Sequence, residues 1–132
     1  MDFEIIGESS KGYLILKTSG SYSVDDNIEM IKQIALHEHW KKGMDVLTDH
    51  RHVSFEEGDL TDLRLHTERL TEATMLLDKE YGARRCAIVA PLEGHTKAAL
   101  YTFFANLELN MVTKLFPPNE YDKAVLWLES ES

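Results

Sequence analysis

Arg85-Cys86-Ala87-Ile88-Val89-Ala90 is the stretch on which the fold turns. After its first residue the run is continuously apolar and only strand length. Such a strand has apolar side chains on both faces and must be covered on both, as in a parallel sheet packed between helices. Its flanks agree. Upstream, Gly58-Asp59 precedes a helical pattern in which Leu60, Leu63, Leu70, Thr74 and Leu77 mark one face, with Asp59 as candidate N-cap and Gly82 as the stop. Before that, Met44-Asp45-Val46-Leu47-Thr48-Asp49 is another strand. Downstream, Gly94 opens a helix carrying Ala99, Phe103 and Leu107, and Met111 to Phe116 is a fifth strand. Asn119 is placed to cap a last helix with Tyr121, Ala124, Val125 and Leu128.

The N-terminal third supplies the remaining elements. Phe3 to Ile6 and Tyr13 to Thr18 read as strands around the turn residues Ser9-Ser10-Lys11-Gly12, and Gly20 closes this hairpin. Ser23-Val24-Asp25-Asp26 fits a capping box, a hydroxyl followed three residues later by an acid. Val24, Ile28, Ile31 and Ala35 follow at helical spacing, so this helix is expected to end near Leu36. The order is β-β-α-β-α-β-α-β-α. It predicts one α/β domain over residues 1–132, a single mixed sheet of about five strands and four helices. An antiparallel hairpin begins the sheet and parallel β-α-β units follow. Leu16, Leu47 and Val89 should be neighbours in one layer.

Composition narrows the function classes. With 23 acidic and 14 basic residues the chain of 132 residues carries a net charge of −9. Nucleic-acid binders need a basic footprint, and the basic doublets here are Lys41-Lys42 and Arg84-Arg85. No nucleic-acid partner and no membrane insertion are expected, since no apolar run approaches a membrane span. Met1-Asp2-Phe3-Glu4 puts acid where a signal peptide needs positive charge. The one cysteine, Cys86, allows no internal disulfide and no cysteine-based zinc site, and fits a reduced, cytoplasmic setting.

In a parallel sheet, ligands gather outside the carboxyl ends of the strands. That edge holds Thr48-Asp49-His50-Arg51-His52, Pro91-Leu92-Glu93-Gly94-His95 and Phe116-Pro117. The expected ligand or partner rim is therefore Asp49, His50, Arg51, Glu57, Asp59, Glu93 and His95. Its acids disfavour a phosphate and already serve the helix dipoles. His37-Glu38-His39 and His50-Arg51-His52 have His-x-His spacing but lack a third ligand at recognisable spacing, so neither metal nor cofactor is expected. Asp49 with His50 or His95 is the one acid–base pair open to a small hydrolase. There is no Gly-x-Ser-x-Gly elbow, no phosphate loop and no complete catalytic set, so a non-catalytic protein is expected. Asp49 has a structural alternative, bonding the backbone N–H groups of the turn after it. Tyr101, Phe103 and Phe104 cannot all face one core. Tyr101 and Phe104 are the candidate face of a homodimer.

The segment Val46-Leu47-Thr48-Asp49-His50-Arg51-His52-Val53-Ser54-Phe55 resembles the strand-and-turn signature of STAS domains, the SpoIIAA-like fold. His39-Trp40-Lys41-Lys42-Gly43 and Ala124-Val125-Leu126-Trp127-Leu128 extend the resemblance toward the uncharacterised STAS/SEC14-like bacterial branch, over nearly the whole chain. The resemblance implies an interaction or regulatory module that binds a protein partner, with self-association into a homodimer. The SEC14 part of the name implies instead a small apolar or lipid ligand between sheet and helices. STAS antagonists are switched by phosphorylation in an Asp-Ser-Ser-Gly stretch. Here Glu56-Glu57-Gly58-Asp59 stands in its place, with Ser54 and Thr61 the nearest hydroxyls, which puts a phospho-switch in doubt.

Overall fold

The computed structural model describes residues 1–7, 12–55, 60–77, 81–95, 98–99, 101–102, 106 and 111–130, with the side chains of 60–63 outside the description. Five strands form one sheet in the order β1-β2-β3-β4-β5: β1 Asp2–Gly7, β2 Tyr13–Ser21, β3 Asp45–Ser54, β4 Arg85–Val89 and β5 Val112–Phe116. The β1–β2 pair is antiparallel and the other three pairings are parallel. Leu16, Leu47 and Val89 lie on adjacent strands of this one layer.

The described residues form three helices, α1 Val24–Ala35, α2 Leu60–Leu77 and α3 Tyr121–Glu129, where the sequence predicted four. The further helix was expected over 94–107. Of that span, His95, Ala98, Ala99, Tyr101, Thr102 and Asn106 have helical backbone, and the rest lies outside the described residues apart from Gly94, which ends a 3-10 turn, Leu92–Gly94.

The helix ends follow local chemistry. Ser23 caps α1 by accepting from the Asp26 N–H at 3.3 Å, and α1 ends at Leu36 as its spacing predicts. At α3 the expected cap is displaced. Asn119 lies inside a 3-10 turn, Pro118–Glu120, and Glu120 takes the N-cap position with no side-chain cap bond.

Strand order explains the layers. Each parallel strand is laid down beside the one before, always in the same direction, so crossovers of one hand fall on one face. The core on that face joins Leu14, Leu16, Val46, Cys86 and Ile88 of the sheet to Met30, Ile31 and Ile34 of α1, Leu70 of α2 and Tyr101. On the opposite face, Tyr13, Leu47, Ala87, Val89 and Phe116 pack against Ala124 and Leu128 of α3. The strand order never reverses in the parallel part. The crevice that such a reversal opens at the strand ends is therefore absent from the sheet described here.

β2 and β3 run further than the sequence indicated. The expected strand ends, Thr18 and Asp49, continue to Ser21 and Ser54, through a register shift between Lys17 and Ser19 and the pairs Ser19–His52, Gly20–Val53 and Ser21–Ser54. His50 and Arg51 are strand residues, not loop residues.

Candidate functional site

The extension of β3 rearranges the expected rim. Successive side chains on a strand point to opposite faces. Val46, Thr48 and His50 face α1 and α2, whereas Leu47, Asp49 and Arg51 face α3. Asp49 and His50 are both buried, on opposite sides of the sheet, and make no acid–base pair.

Asp49 is committed to Arg51. The guanidinium gives its carboxylate two bonds of 2.9 Å, from Nε and Nη2, and the Arg51 backbone N–H adds one of 3.1 Å. This is the backbone role expected for Asp49, enlarged by a bidentate ion pair. Burial alone would raise the carboxyl, but the hydrogen bonds and charge of Arg51 outweigh it and hold Asp49 below the usual carboxylate range. Arg51 also lies over the Tyr121 ring, 4.0 Å from its centroid, tying β3 to the start of α3.

The other described rim residues, Glu93 and His95, do not converge on Asp49 or His50. Glu93 is exposed, and His95 Nε2 bonds the Ala90 carbonyl at 2.7 Å. Glu57 and Asp59 lie outside the described residues, as does Phe104. Tyr101 departs from the expected dimer face. It is 7% exposed and turns inward, its hydroxyl 3.3 Å from Thr74 Oγ1. The pull is apolar, since its ring packs into the core between sheet and α2. The rings of His37 and His39 lie 5.5 Å apart, and among the described residues no group of three or more His, Cys, Asp or Glu is placed to hold a metal.

What the structure does bring together is a cleft of about 50 Å³ between the sheet and α1 and α2. Its polar wall holds Tyr22, Asn27, Thr48, His50, His66 and Tyr101. Leu16, Ile31, Leu70 and Ile88 supply the apolar wall, and Phe55 lies beside them. No Asp, Glu, Lys or Arg lines it among the described residues.

His50 is fixed by its neighbours. Thr18 donates its one hydroxyl proton to the Asp49 carbonyl at 2.8 Å, so its oxygen accepts from His50 Nδ1–H at 2.7 Å. No described residue bonds the other ring nitrogen, Nε2. Burial pushes the imidazole down to about 4, against the smaller opposing pull of the Asp49 charge, so the ring is neutral at pH 7. Tyr22 accepts from Asn27 Nδ2 at 2.9 Å and lies 3.1 Å from His66 Nε2. Burial raises the Tyr22 phenol and pushes the Cys86 thiol up to about 12, the Thr48 hydroxyl lying 3.9 Å from the sulfur. Cys86 is thus an inert buried thiol.

Phe55 walls one side. It stacks on Tyr22 with centroids 4.9 Å apart and planes at 23°. Gly94 makes room for it, because a Cβ there would sit 2.6 Å from the Phe55 ring.

Of the predicted rim residues that are described, only His50 lines the cleft. Tyr22, Asn27, His66 and Tyr101 were not singled out for this role. One signal was present: the core-facing stripe of α2, which includes Leu70, also contains His66, Thr67 and Thr74 at helical spacing, polar residues where a filled core wants aliphatic ones.

No family model matches the chain. Nor does any curated protein. Among solved structures, the chain is similar to an uncharacterised protein of the DUF3478 family from Shewanella loihica PV-4, described as having a SpoIIAA-like fold. The two superpose with a TM-score of 0.55 and 18% identity, over 96% of this chain and 92% of that one. The strand order, the two unequal faces and this match together give the chain a SpoIIAA-like fold.

Proposed function

We propose that the protein is a non-catalytic, SpoIIAA-like ligand-binding module of the cytosol, whose cleft between the sheet and α1 and α2 takes a small molecule. The observation that carries this reading is the cleft itself: an uncharged space against the sheet, walled by aliphatic and aromatic side chains, with a few polar groups converging on it. A non-catalytic role is supported by Asp49, whose two oxygens are taken by Arg51, and by the burial of Cys86. The acidic net charge and lone free thiol fit a cytosolic setting. Native mass spectrometry of the protein isolated from its source cells tests the reading. A low-mass adduct should accompany the wild-type chain and be lost when Ala98→Leu fills part of the cleft. Apo mass alone from repeated preparations contradicts it.

A second reading, a module that acts through a second copy of itself, is supported by α2. Leu65 and Leu76 are exposed and lie three turns apart on one stripe of that helix, with exposed Met75 beside Leu76. This face replaces Tyr101 as the candidate contact.

A further inference from the structure

We propose that the cleft selects an uncharged ligand carrying a hydrogen-bond donor, an O–H or N–H delivered to Nε2 of His50; this rests on the cleft being a ligand site. Three observations converge. The first is the tautomer. Thr18 spends its proton on the Asp49 carbonyl and so forces His50 Nδ1 to be the donor, which leaves Nε2 with a lone pair. His50 is 95% buried by its 5% exposure, lines the cleft, and has no described partner at Nε2. That acceptor opens onto the cleft, where a group that donates to it satisfies it.

The second is the neighbouring hydroxyl. Thr74 donates to the Leu70 carbonyl at 2.8 Å, so the Tyr101 hydroxyl donates to Thr74 at 3.3 Å. Tyr101 then has only lone pairs to offer a ligand. Two groups on the cleft wall therefore ask for the same complement. The third is charge. With no Asp, Glu, Lys or Arg among the described lining residues, a carboxylate would lie there without a counter-charge and against the lone pairs of His50 and Tyr101, and a cation would likewise lie buried without a counter-charge.

Size completes the class. A water-sized position needs roughly 10–15 Å³, so the space of about 50 Å³ takes about four heavy atoms. A short alcohol or amide head fits, with any longer body left in the mouth beside Phe55. Sources that share this head, such as a free alcohol or the hydroxyl of a longer apolar molecule, present the same chemistry to His50.

The test is a titration of the whole chain at pH 7 with four probes of nearly equal size, read as methyl NMR shifts of Leu16, Ile31 and Ile88. The probes are 1-butanol, methyl propyl ether, butyrate and butylammonium. Butanol should bind roughly five- to tenfold tighter than the ether, the worth of one net hydrogen bond, and both ions more weakly still. The Nε2 resonance of 15N-labelled His50 should move away from its unprotonated value with butanol and not with ether. His50→Leu should bring butanol down to the ether's affinity; the wild-type series and the nitrogen shift decide the matter if that variant does not fold. Equal binding of butanol and ether, or a preference for either ion, overturns the donor rule while leaving the cleft a ligand site. No saturable shift with any of the four overturns the ligand site as well.

Discussion

His50 shows how much one buried side chain can constrain. Its ring is neutral in the folded chain and titrates at about 4, whereas the unfolded residue titrates near 6.5. The lowered folded value means that the unfolded chain binds the proton first, so stability is full above about pH 6.5 and falls as pH drops toward 4. At about 1.4 kcal/mol per unit, the loss reaches about 3 kcal/mol. Urea unfolding between pH 7 and pH 4 should show that decline in the wild type and a flatter curve in His50→Leu; parallel curves would contradict the assignment. None of this was legible in His50-Arg51-His52, which reads as a polar turn. The strand propensity of such residues is poor, and only their partners, Thr18 on the neighbouring strand for His50 and the bidentate Arg51 two residues along β3 for Asp49, make them acceptable in a buried strand.

Among the elements, α3 owes its seat to one arginine. Arg85 is buried at the start of β4, donates to the Asp45 carboxylate through Nε at 3.1 Å and Nη2 at 2.8 Å, and reaches the Trp127, Leu128 and Ser130 carbonyls at 2.7–3.1 Å. It satisfies the last carbonyls of α3, which the helix itself cannot. Arg85→Met should cost about 3–5 kcal/mol, the usual price of stranding a buried partner, with Arg84 retaining part of the Asp45 pair. Chemical denaturation checks this, and a loss below about 1 kcal/mol would show the network to be dispensable. A second element-level expectation concerns Gly94. Gly94→Val should displace the Phe55 ring and alter Tyr22 fluorescence while leaving β4 protected from amide exchange; an unchanged spectrum would mean that Phe55 does not depend on that close approach. Strands β1, β4 and β5 and helix α1 were legible because their apolar spacing and caps are local signals. The polar lining contributed by α2, His66, was signalled only weakly, because its spacing on the helix face is the same whether it meets a cleft or a filled core.

At the scale of the whole molecule, a monotonic strand order puts α1 and α2 on one face and leaves the other to α3. The architecture followed from the alternation of elements. The site did not, because the rim was expected outside the carboxyl ends of the strands, whereas the cleft lies between the sheet and α1 and α2. Self-association through α2 should appear as a dimer mass by light scattering at high micromolar concentration and be abolished by Leu76→Asp; a monomer at that concentration removes the second reading. The ligand site is settled most directly by a crystal structure of the wild-type chain grown with 1-butanol. Its hydroxyl should lie within about 3 Å of His50 Nε2, and its chain against Leu16 and Ile88. A cleft that contains water alone under saturating butanol would contradict it.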